Sequence, residues 1–320
     1  MDKPARAARR FQLHLIKPSH YDDDGYVIQW MRSAILSNTL AALYGLAADC
    51  RDRKILGPDT AIEIIETDEA NDRIRSDRIA RSIETAGLGM VGIVGVQSNQ
   101  FPRAMDIARR LRAHDIQVVI GGFHVSGCLA KLPDIQPDLQ EALDLGISLY
   151  AGEAESRLDE VLHDAANNTL KPIYNYMDDL PGLEAQPAPI LSTERIARTA
   201  GTISSFDAGR GCPFQCSLCT IINVQGRQSR YRTADDIEDL VRRNLAQGVC
   251  RFFITDDNFA RNRNWEPIYD RLIEMRERET SISASSSRST PSATRSRISS
   301  RSSPRRRSPR LHWPRKHQSG

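Results

Sequence analysis

The chain has 320 residues, 40% of them apolar and 27% charged, with six cysteines and a formal net charge of +3. That is about two domains of sequence with enough apolar material for real cores, and too little cysteine for a disulfide scaffold. The longest apolar runs, such as residues 90–96, fall far short of the roughly 18 residues that cross a bilayer, and the four basic residues among the first ten lead into no apolar run of secretory type.

The net charge averages two unlike segments. Residues 280–320 hold nine Arg, one Lys, 14 Ser and no acid, so this stretch carries +10 and the preceding 279 residues carry −7. An acidic body is not suited to nucleic acid, which is therefore not expected as a partner. The basic stretch shows neither helical nor strand periodicity and cannot bury enough apolar surface to offset its ordering entropy. It is expected to be disordered. It reads either as an Arg/Ser arm for anionic partners or as the product of a shifted reading frame, which would leave a C-terminally truncated protein.

Between residues 11 and 170 the pattern alternates strand and helix. Strands are expected at 11–18, 61–67, 90–96, 117–120 and 147–150, and helices at 28–50, 76–86, 105–114 and 156–165. The run Met90-Val91-Gly92-Ile93-Val94-Gly95-Val96 is almost wholly apolar, as a strand covered on both faces should be. Five short strands with intervening helices imply an α/β fold with a doubly wound, flavodoxin-like parallel sheet. Ligands on such sheets bind outside the carboxyl ends of the strands, which here are the loops 19–25, 97–100, 121–127 and 152–155. Gly121, Gly122 and Gly152 would let backbone approach a ligand closely, or they merely turn the chain. No G-x-G-x-x-G occurs, so a dinucleotide site is not supported. Residues 171–200 read as a linker, and residues 1–10 as an N-terminal extension.

The second unit, 201–279, opens with a strand at 202–206. It continues through Gly209-Arg210-Gly211 into Cys212-Pro213-Phe214-Gln215-Cys216-Ser217-Leu218-Cys219. A helix at 233–246, a strand at 251–255 ending in Asp256-Asp257-Asn258, and a helix at 265–278 follow. Three thiolates at C-x3-C-x2-C spacing can converge on one inorganic centre. Structural zinc wants a fourth protein ligand, for which candidates are poor; a [4Fe–4S] cluster takes one thiolate per iron and would keep one iron open. Cys50, Cys128 and Cys250 read as buried or incidental, and a thiolate cluster points to the reducing cytoplasm.

These features resemble the radical S-adenosylmethionine (radical SAM) superfamily, in the subgroup with an N-terminal cobalamin-binding domain. The resemblance implies a βα barrel, of which residues 201–279 supply only the first part. It also implies that Cys212, Cys216 and Cys219 hold a [4Fe–4S] cluster whose open iron chelates S-adenosylmethionine, and that the Asp256-Asp257-Asn258 turn meets the methionine amino group. That turn reads equally as a helix cap. The turns at Gly121-Gly122 and at Gly152-Glu153-Ala154-Glu155 are similar to those of the subgroup's cobalamin domains. The D-x-H-x-x-G cobalt-ligand motif is absent, so neither His20 nor His124 is assigned to cobalt. Leu218 stands where the superfamily usually carries an aromatic residue. The activity implied is reductive cleavage of S-adenosylmethionine by a one-electron donor such as flavodoxin or ferredoxin, with cobalamin-dependent methyl transfer to an unknown substrate. Two other readings remain open: a non-catalytic cobalamin-binding module, and a zinc protein whose basic tail binds RNA.

Overall fold

The structure, a computed structural model, describes residues 9–199, 203–214, 216, 219–256, 259, 262–286 and 310–311. The first unit runs β1 (Arg9–Lys17), α1 (Asn38–Asp52), β2 (Thr60–Asp68), α2 (Ser76–Ala86), β3 (Gly87–Ile93), α3 (Phe101–Arg112), β4 (Gln117–Gly121), α4 (Phe123–Lys131), α5 (Pro137–Asp144), β5 (Ser148–Ala151), α6 (Leu158–Ala166) and β6 (Ile173–Asn175). Its six strands form one parallel sheet in the order β2-β1-β3-β4-β5-β6. The order reverses between β1 and β3. In an open α/β sheet that reversal leaves a crevice at the strands' carboxyl ends.

Successive strand residues point to opposite faces, and both faces are covered. Phe11, Leu13, Met90 and Val119 meet Leu40 and Ala47 of α1 and Val161 and Leu162 of α6. Val91, Ile93, Val118 and Ile120 meet Ile83 of α2, Ile107 and Leu111 of α3 and Leu139 of α5. Each fully buried side chain of this kind contributes about 1.5–3 kcal/mol. The first cluster continues without a break into the second unit, through Phe206, Ile237, Leu240, Phe252 and Ile268.

The second unit comprises α7 (Thr193–Ala197), β7 (Ile203–Phe206), β8 (Gly209–Arg210), α8 (Ile221–Val224), β9 (Arg230–Tyr231), α9 (Ala234–Ala246), β10 (Arg251–Ile254), α10 (Trp265–Ser286) and β11 (Arg310–Leu311). Strands β7 and β10 are parallel, and α9 lies between them in sequence. The short antiparallel pair β8–β9 closes the segment that carries the cysteines.

Several expectations need correction. The helix expected at 28–50 begins only at Asn38, where Ser37 accepts the N–H of Leu40. The preceding residues are claimed by the second unit: Ile35 bridges Ile203, Leu36 N–H donates to Ile203 O, and Ser205 Oγ donates to Leu36 O. The third strand starts at Gly87 rather than residue 90, because Gly87 (φ +84°) ends α2 and enters the sheet directly. The loop expected at 121–127 shrinks to a turn at Gly122, since Phe123–Lys131 is helical. Ile173–Asn175, within the stretch read as a linker, adds the edge strand β6. Within the stretch expected to be disordered, Arg310–Leu311 pair with Arg251 and Phe252 of β10.

Candidate functional site

A cavity of about 520 Å³ opens at the carboxyl ends of β1, β3, β4 and β5. Its floor is apolar: Leu13, Met90 and Val119 of the sheet face it, with Leu46 of α1 and Val161 of α6 at the sides. Gly95, Gly121, Gly122 and Gly152 form part of its rim, and Asp207, Arg210, Thr255 and Asp256 reach it from the second unit. The three glycines singled out by sequence thus share one rim, and Asp256 lies on the same cavity. Asp257 and Asn258 lie outside the described residues.

Gly122 is a structural requirement. Its φ of +146° and ψ of −170° belong to a region that is essentially glycine-only, and an added β-carbon would overlap the backbone nitrogen of Val96. This close approach joins the β3 and β4 loops, with Val96 N–H donating to Gly121 O and His124 N–H to Val96 O. Gly152 (φ +108°) turns the chain after β5, its N–H donating to the buried Ser126 Oγ at 3.1 Å. Ser126 therefore serves the turn by accepting. His124 does not line the cavity; its ring nitrogens face Ser98 Oγ at 3.1 Å and Asp138 Oδ2 at 2.9 Å.

The cysteines lie on the segment after β8. Cys216 is exposed and the other two are half-buried. Cys212 N–H donates to Gly226 O, and Cys219 N–H to Cys216 O. Among the described residues, no group of three His, Cys, Asp or Glu side chains stands ready to hold a metal, and none of the three cysteines lines the cavity. The donor chemistry suits an iron–sulfur cluster.

Apart from Asp256, the charged residues of the cavity wall were not assigned from sequence. Arg210 Nε, Nη1 and Nη2 lie 2.8 Å from Asp207, Glu153 and Glu155 respectively. Burial opposes ionisation of Asp207, yet the charges of Arg210 and Arg232 outweigh it and hold the carboxyl down at about 2. Glu155 behaves likewise: burial raises its pKa, and the Arg210 charge brings it below the usual carboxylate range. Asp256 Oδ1 accepts the Ala208 N–H at 2.7 Å, which ties the end of β10 to that of β7. Asn38, the first residue of α1, donates through Nδ2 to Asp207 Oδ1 at 3.1 Å. Its own Oδ1 is buried beside the cavity with no partner among the described residues. The available signal was a lone Arg between two glycines just before the first cysteine, and two acids following a buried strand.

No family model matches the chain. Over 195 residues it is 31% identical to bacteriochlorophyllide d C-8(2)-methyltransferase of Chlorobaculum tepidum, covering 56% of this chain and 40% of that enzyme. Over 163 residues it is 28% identical to hopanoid C-2 methylase of Rhodopseudomonas palustris, covering 49% and 28%. The chain thus spans less than half the length of these curated relatives. Among solved structures it resembles TsrM of Kitasatospora setae, a radical S-adenosylmethionine methyltransferase with cobalamin and a [4Fe–4S] cluster bound. The TM-score is 0.56 at 15% identity, over 84% of this chain and 53% of TsrM. That likeness shows a shared fold. No helix among the described residues is long and apolar enough to cross a membrane.

Proposed function

We propose that the chain is a cobalamin-dependent radical SAM methyltransferase, or the portion of one that holds the cofactor sites. The observation that carries this reading is the cavity itself. It has a glycine rim at the switch point of a parallel sheet, and its far wall comes from the unit that bears C-x3-C-x2-C. The relatives that share the sequence are methyl-transferring enzymes by name.

The residues fit the cofactors in four respects. Gly121, Gly122 and Gly152 bring bare backbone to the rim, where a corrinoid would be held by close approach with no histidine ligand. The apolar floor would exclude water from whatever enters, and the unpartnered Asn38 Oδ1 would accept a hydrogen bond from it. Cys212, Cys216 and Cys219 would hold the [4Fe–4S] cluster, one thiolate to each of three irons. Asp256, fixed by Ala208 N–H, would place a carboxylate before the methionine ammonium of S-adenosylmethionine. When bound, these cofactors supply a one-electron route to a carbon radical and a carrier for a methyl group. A reductant of the flavodoxin or ferredoxin kind would deliver the electron, and the substrate would offer an unactivated carbon or phosphorus centre.

Anaerobic reconstitution with iron and sulfide, followed by low-temperature EPR of the reduced protein, tests the reading. The expected result is a [4Fe–4S]⁺ signal that shifts when S-adenosylmethionine is added and is lost in Cys216→Ala. A cluster indifferent to S-adenosylmethionine, in a protein that still binds aquacobalamin, would leave a non-catalytic corrinoid module. Failure to form any cluster would refute the radical SAM assignment.

A further inference from the structure

The charged wall of the cavity is assembled across the boundary between the two units. Arg210 stands immediately before Gly211 and Cys212, and each nitrogen of its guanidinium lies 2.8 Å from a different carboxylate. Glu153 and Glu155 belong to the turn that follows β5, and Asp207 follows β7. Arg230 on β9 donates to both oxygens of Glu153, at 2.7 and 2.5 Å, and also to Gln225 O at 2.9 Å. None of these five side chains is more than 13% exposed.

Stability alone does not explain such a cluster. Well-packed apolar groups commonly replace buried ion pairs at no loss, and apolar residues already fill the adjoining floor. What a forked guanidinium with a carboxylate at each nitrogen adds is register. It accepts only one placement of two backbone segments, because the planar donors point in fixed directions. Here those segments are the stretch from the end of β7 to the entry of the cysteine loop, and the Gly152–Glu155 turn on the rim.

We propose that Arg210 is a positioning residue that latches the start of the cysteine loop to the Gly152–Glu155 turn, so that a ligand seated in the cavity and the placement of residues 207–214 are thermodynamically coupled. Binding that tightens the turn then tightens the loop, and by linkage the converse holds. The identity of the ligand as a corrinoid rests on the functional reading above; the latch is a property of the protein alone.

Hydrogen exchange of the full-length protein, with and without aquacobalamin, tests this. In the wild-type protein, aquacobalamin should slow exchange in peptides covering 152–158 and also in those covering 207–214. In Arg210→Gln the first response should persist and the second disappear, with the dissociation constant for aquacobalamin raised roughly tenfold. Arg210→Lys should not restore the response, because one ammonium cannot reach three carboxylates. An undiminished response of 207–214 in Arg210→Gln would overturn the latch while leaving the cofactor assignment standing. Should the wild-type protein bind no aquacobalamin, the cofactor assignment fails and the ligand-free proteins decide the latch. Arg210→Gln must then speed exchange in both segments, with β1 and β3 unchanged, and an unaltered 152–158 overturns it. If Arg210→Gln does not fold, Glu155→Gln, which keeps two of the three carboxylates, is read by the same criteria.

Discussion

At position 122 the backbone occupies a region closed to side chains, and the turn it makes brings the β3 and β4 loops into contact. Gly122→Ala should therefore cost about 3 kcal/mol through strain alone, seen as a lower urea midpoint, and should also open the rim and weaken aquacobalamin binding. His14 poses a different problem, because it lies 5% exposed in the central strand β1. Burial, only partly opposed by the charge of Glu63, lowers its pKa from 6.5 to about 4. The imidazole is thus neutral when folded and takes up a proton on unfolding below pH 6.5. Its contribution is complete above that pH and is lost as the pH falls toward 4. Between pH 7.5 and pH 5 the expected loss is about 2 kcal/mol. Urea titrations at the two pH values, compared with His14→Asn, should show the variant lacking this part of the pH dependence.

Two helices with local start or stop signals, 76–86 and 233–246, were legible to within a residue, whereas α3 begins four residues before the expected 105 and α10 runs on to Ser286, into the stretch expected to be disordered. For α9, Thr233 accepts from Asp236 N–H at 3.1 Å and Asp236 Oδ2 accepts from Thr233 N–H at 2.8 Å, a reciprocal cap. Ile237, Leu240 and Val241 supply the buried side. Thr233→Ala should lower thermal stability by about 1 kcal/mol. The same local logic gave 76–86 its end at Gly87. It failed at 28–37, where Leu36 N–H donates to Ile203 O of β7 and Leu36 O accepts from Ser205 Oγ, 169 residues away. It also failed at β6, where three residues without a pattern of their own join a waiting sheet edge. A segment that short is specified by its neighbour, not by its own propensity.

For the whole molecule, the proposed cofactor offers a direct handle. A ligand bound only by the folded state at a hundred times its dissociation constant stabilises by about 2.7 kcal/mol. With the two units unfolding together, that corresponds to a rise in melting temperature of roughly 5 °C. Calorimetry with aquacobalamin should show this rise, and no shift under saturating conditions would count against a corrinoid in the cavity. The continuous core beneath the cavity, from Phe11 through Leu40 to Phe206 and Ile268, predicts that the two units respond together.

By itself the sequence determined what depends on near neighbours. Alternating apolar runs required a parallel α/β sheet, and glycines marked the turns at 121–122 and 152. Only the tertiary structure decided that these turns share one rim, since that depends on the strand order β2-β1-β3-β4-β5-β6. It alone brought Arg210 to Glu153, 57 residues apart, and Asn38 to Asp207, 169 apart. Periodicity and caps act over a few residues and leave a local pattern. A charge buried across a unit boundary leaves none, because its partner is chosen by the packing that surrounds it.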